Sequence, residues 1–113
     1  MPAVACFPAS VHFGGFKPGT EHVASVRITN VSSETVKVDI LPTASEHFNV
    51  VEVQKQMPKL APGISEIVTI AFNSETVKYF YDFFRIKCST GDELQIDLHA
   101  YPVRAFRLRF DIA

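Results

Sequence analysis

Period-two alternation, broken by turn residues every eight to twelve positions, is the feature of this chain that most restricts its fold. A strand with one buried face sends successive side chains to opposite sides, so apolar and polar residues must alternate along it. In His22–Asn30, Ala24, Val26 and Ile28 alternate with Ser25, Arg27 and Thr29. Thr35–Leu41 repeats the pattern, with Val36, Val38 and Ile40 inward and Lys37 and Asp39 outward, until Pro42 stops it. Phe48–Val53 is shorter and less regular, and Ile64–Phe72 presents Val68, Ile70 and Phe72 on one face. Tyr81–Ser89 directs Phe84, Ile86 and Cys88 inward and Phe83, Arg85 and Lys87 outward. Glu93–Tyr101 sets Leu94, Ile96, Leu98 and Ala100 against Gln95, Asp97 and His99. With Val11–Phe13, closed by Gly14 and Gly15, these make seven strands, and no segment sustains a helical apolar spacing.

The connections support the same division. Lys17-Pro18-Gly19-Thr20 and Gly91-Asp92 are turn signals, and Asn30-Val31-Ser32-Ser33-Glu34 can bond its own backbone. Asn73–Lys78 is polar and reads as a loop or one helical turn. The expected fold is all-β: an immunoglobulin-like, seven-stranded antiparallel sandwich, with a small barrel as the competitor that periodicity does not separate. A chain of 113 residues, 47% hydrophobic, suits one domain with a real core. We place that domain at 1–102 and read 103–113 as an extra C-terminal amphipathic strand or linker. There Phe106, Leu108, Phe110 and Ile112 alternate with Arg107, Arg109 and Asp111, and the apolar ending is that expected of a piece of a longer protein.

Composition narrows the partners. A net charge of −1 gives no global reason to expect nucleic acid or an anionic membrane. No apolar run reaches the ~20 residues of a membrane span, and the start lacks the basic and apolar regions of a signal peptide. With only Cys6 and Cys88, the expectation is two buried free thiols in a reducing compartment rather than a disulfide. Asn30-Val31-Ser32 matches a glycosylation sequon but reads as a polar turn.

Chemistry is sparse. No nucleophile elbow, phosphate-binding glycine loop, paired-cysteine motif or calcium loop occurs, so neither an enzyme nor a cofactor or metal is expected. The four histidines, His12, His22, His47 and His99, stand apart in sequence, and Cys88 and His99 fall on opposite predicted faces. Two surface features remain. The run Tyr79-Phe80-Tyr81-Asp82-Phe83-Phe84 cannot bury every ring on one face, so Phe83 or a tyrosine should be exposed, unless the loop Gln54–Leu60 covers it. The tail carries Arg104, Arg107 and Arg109, a pattern that serves either as a solvated edge or in strand addition to a neighbour or another copy. The candidate protein-binding residues are therefore Phe83, Arg85, Lys87, Arg104, Phe106, Arg107 and Arg109.

The order of short motifs resembles the ASH domain, of the major-sperm-protein-like, PapD-like branch of immunoglobulin folds. The residues are Phe13-Gly14, Arg27-Ile28-Thr29-Asn30-Val31-Ser32, Phe48-Asn49-Val50, Leu60-Ala61-Pro62-Gly63, Val68–Phe72 and Ile96–Pro102. His99-Ala100-Tyr101-Pro102 is most similar to ciliary members, of the Hydin and primary ciliary dyskinesia protein 1 types. The resemblance implies a non-catalytic scaffold of cilia, flagella, basal bodies or centrosomes. Its partners would be proteins, with microtubule association and edge-strand self-association among the implied modes. A peptide-capturing, chaperone-like adaptor acting by strand addition is the alternative. The lysine–threonine-rich strand of motif-binding sperm-protein domains is lacking, so their acidic-peptide binding does not carry over. The common F-x-P is altered to Phe72-Asn73-Ser74.

Overall fold

The computed structural model describes residues 2–54 and 59–102. Within them lie eight strands: β1 (Val4–Phe7), β2 (Ser10–Phe16), β3 (His22–Asn30), β4 (Val38–Leu41), β5 (Phe48–Gln54), β6 (Ser65–Phe72), β7 (Phe80–Cys88) and β8 (Glu93–Pro102). They form two four-stranded sheets, in the orders β1-β3-β6-β5 and β2-β8-β7-β4. Inward residues of both sheets meet in one core, the sandwich that the alternation anticipates.

Three details differ from the sequence reading. A strand precedes the expected first one: β1 pairs with β3, Pro8 and Ala9 bend the chain, and β2 joins the opposite sheet. Pro8 cannot donate to a ladder, which breaks the first strand in two, and four residues are too few to display a period. Next, β2 runs parallel to β8, so the sandwich is not wholly antiparallel; side-chain alternation carries no information about strand direction. Finally, the third expected strand begins at Val38 rather than Thr35, and Val36 instead bridges to Leu60. The segment 73–79 is a loop.

The β2 strand shows how backbone and packing cooperate. Its register shifts between Gly14 and Phe16, and Gly15 adopts φ 72°, a conformation that only glycine takes without strain. The extra residue lets both Phe13 and Phe16 point into the core, three positions apart on a strand. They pack on Phe72 at ring-centroid distances of 5.7 and 4.9 Å, joined by Phe48 at 4.8 Å and Phe80 at 5.4 Å. Phe72 is thus the hub of an aromatic core spanning both sheets.

Asn30 is the polar counterpart. It is fully buried; its Nδ2 donates to the carbonyls of Glu34 (2.7 Å) and Leu60 (2.9 Å), and its Oδ1 accepts from the backbone N–H and hydroxyl of Ser32. The sequon asparagine is therefore a structural knot at the end of β3, closing the turn and holding Leu60 over the core. Cys88 is buried and Cys6 is only half-buried; both thiols are free. Burial, then the nearby Cys88 thiol, pushes the Cys6 thiol up from 9.0 to about 11.

Candidate partner-binding face

In the second sheet β8 is central, flanked by β2 and β7, so three strands project outward side chains onto one surface. The register sets them in rows. His12, His99 and Tyr81 align, Phe83 opposes Asp97, Arg85 opposes Gln95, and Lys87 opposes Glu93. Gly14 lies beside Tyr101 at one end; a Cβ there would come within 3.0 Å of the Tyr101 ring, so glycine lets that ring lie against β2.

The rings form a connected layer. His12 and His99 stack at 4.7 Å, 12° from parallel, and His12 meets Tyr101 edge-on at 6.1 Å. Tyr81 lies 5.3 Å from His99 and 6.4 Å from Phe83. The Tyr79 hydroxyl and His99 Nδ1 are 2.5 Å apart, and the Tyr81 hydroxyl donates to Asp97 Oδ1 at 2.7 Å, where Gln95 Nε2 also donates at 3.0 Å. Those hydrogen bonds, that from Gln95 foremost, hold the Asp97 carboxyl below its usual range, while the bond to Asp97 raises the Tyr81 phenol. Tyr79 and Tyr81 nevertheless remain 55% and 48% exposed. All three tyrosines of the chain lie on this face.

Of the residues expected to bind a partner, Phe83, Arg85 and Lys87 are all here. Phe83 is half-buried, with the Arg85 guanidinium carbon 5.2 Å from its ring centre. Arg104, Phe106, Arg107 and Arg109 lie outside the described residues, as does most of the loop proposed to cover the aromatic run. The histidines correct the sequence reading, which left all four isolated: strand pairing brings His12 and His99 together. The other two serve locally, His22 accepting the Lys17 N–H and His47 packing on Phe80. Sequence reasoning missed His12, His99, Asp97 and Tyr101; alternation marked the β8 residues as outward, but only β2–β8 pairing joins them to His12.

Cys88 points into the core while His99 is on the outer face, so thiol and imidazole are separated by the sheet. Asp82, buried on the inner face, accepts the N–H groups of Ser45 and Phe83, both at 2.7 Å, and so pins the 43–47 loop. Among the described residues no group of three metal-ligating side chains converges, and no helix is long and apolar enough to cross a membrane. The opposite outer face carries an open hollow lined by Phe7, Pro8, Ser25, Arg27 and Ile67.

Residues 4–99 match the model of the CFAP74 first Ig-like domain family. The chain belongs to this family. The Ig-like domain is also 35% identical over 96 residues to the cilia- and flagella-associated protein 221 homolog of Chlamydomonas reinhardtii, covering 85% of this chain and 15% of that protein. The match therefore spans only about a seventh of that relative's length. Among solved structures, the ASH/PapD-like domain 7 of human CEP192 superposes with a TM-score of 0.65 at 16% identity, covering 89% of this chain and 85% of that one. A C. elegans member of the MSP family, WR4, gives 0.61 at 12% identity, covering 88% and 99%. At these identities the two structures show the fold, which is the ASH and MSP type expected from the motifs.

Proposed function

We propose that this Ig-like domain is a non-enzymatic interaction module of a ciliary or flagellar assembly, and that its partner sits on the outer face of β2, β8 and β7. The observation that carries the placement is the layer of exposed and half-buried rings from His12 to Phe83, joined to one another by stacking and hydrogen bonds. Rigid aromatic groups with their polar atoms already engaged lose little entropy on binding, which suits a contact surface. The ciliary setting is supported by the family and by the cilia- and flagella-associated relative. Association with microtubules or with centrosomal and basal-body proteins falls within the same reading. Strand addition is disfavoured: edge strands β1 and β4 have four residues each, and the longer edge strands β2 and β5 carry register shifts between Gly14 and Phe16 and between Val50 and Glu52.

The test is site-specific photocrosslinking in ciliated cells, with benzoylphenylalanine replacing Tyr81 or, on the opposite face, Val23. Crosslinks to axonemal, basal-body or centrosomal proteins from position 81 and not from 23 are expected. Capture from position 23 alone, or of no ciliary protein from 81, would refute the placement.

A further inference from the structure

The chemistry of this face narrows what it can hold. Its centre is Asp97, and both hydrogen bonds it receives there land on Oδ1, leaving Oδ2 without one among the described residues. Around it stand the rings of Tyr81, Tyr79 and Phe83, whose faces attract cations, with the His99 imidazole packed between the two tyrosines. The hydroxyls of Tyr79 and Tyr81, which would otherwise donate to an acidic or phosphate-bearing partner, are already occupied by His99 and Asp97. A carboxylate partner would meet Asp97 as a like charge. The chain's own cations already use such rings: Arg85 lies 5.2 Å from the centre of Phe83 and the Lys78 ammonium 5.1 Å from that of Phe80.

We infer that the aromatic half of this face receives an arginine side chain from an extended segment of a partner protein, its guanidinium over the Tyr81 ring and paired with Asp97 Oδ2. Arginine suits the site better than lysine. Its planar group stacks on a ring while its N–H groups reach a carboxylate, and it sheds water more readily than an ammonium. This inference rests on the reading of the face as the partner surface and adds the chemistry that the partner must present.

The molecule supplies its own reporter. With three tyrosines, all on this face, and no tryptophan, tyrosine emission, excited beyond the phenylalanine absorption, reads this surface. The probe is a short tyrosine-free peptide alternating arginine and valine, titrated into the full chain at low salt. The control is the same peptide with citrulline, which keeps the shape and removes the charge. A saturable emission change is expected, at least about tenfold weaker for the citrulline peptide. Asp97→Asn and Tyr81→Leu should each weaken it about fivefold. Equal binding of the two peptides, or unchanged binding by Asp97→Asn, overturns the inference. So does binding that emerges only after Arg104, Arg107 and Arg109 are replaced by glutamine, because the chain's own tail would then be the occupant. These results are separable from failure of the broader reading: crosslinks that miss ciliary proteins remove the face as partner surface, whereas loss of arginine–citrulline discrimination removes only the arginine.

Discussion

The imidazole rings of His12 and His99 stack 4.7 Å apart across the parallel β2–β8 pair, directly opposite one another in register. The stack couples an edge strand to the central strand and steadies the ring that Tyr79 and Tyr81 pack against. A double-mutant cycle with His12→Ala and His99→Ala should give a coupling of about 0.2–1 kcal/mol in urea unfolding. Strictly additive losses would show that the two rings stabilise nothing jointly.

Phe72 packs against four phenylalanines drawn from both sheets, so truncation there opens a cavity that neither sheet can close alone. Phe72→Ala should cost about 3–5 kcal/mol by chemical denaturation. Phe7→Ala, at a position 80% exposed, should stay within about 0.5 kcal/mol. Comparable losses at both would contradict the core described above.

Asn30 is satisfied on both its amide nitrogen and its oxygen while fully buried. Asn30→Ala removes the donor to two carbonyls and should destabilise by about 2–3 kcal/mol. Asn30→Asp should fare no better, because a carboxylate cannot donate to Glu34 and Leu60. Unfolding midpoints matching the parent chain would refute this role.

Cys6 links stability to alkaline pH. Its thiol ionises near 9.0 unfolded and about 11 folded, so the folded state favours the protonated form. That contribution is fully present below pH 9 and is lost as pH rises to about 11. Urea midpoints from pH 8 to 11 should fall more for the parent chain than for Cys6→Ala. Parallel curves would remove Cys6 as the cause.

Much of the fold was legible because burial on one face imposes alternation. The bounds of β3 agree with the sequence reading, and Val68, Ile70, Phe84 and Ile86 are all buried as expected. The β1 strand was not legible, since a four-residue segment before a proline shows no period. Nor was the double inward turn of Phe13 and Phe16, which depends on a bulge that breaks the period. Half of the candidate face was visible as the outward residues Phe83, Arg85 and Lys87. The rest needed strands distant in sequence to meet.

What the chain's local pattern determined by itself was which side chains face inward, because hydrophobic burial selects one parity of each strand whatever its neighbours are. Only the tertiary structure decided which outward residues share a surface. Pairing direction and register leave no trace in one strand's own sequence, yet they place His12 against His99 and Tyr81 within reach of Asp97. Outside the β2 bulge, burial thus follows from each segment alone, whereas the candidate partner surface exists only once β2, β8 and β7 lie side by side.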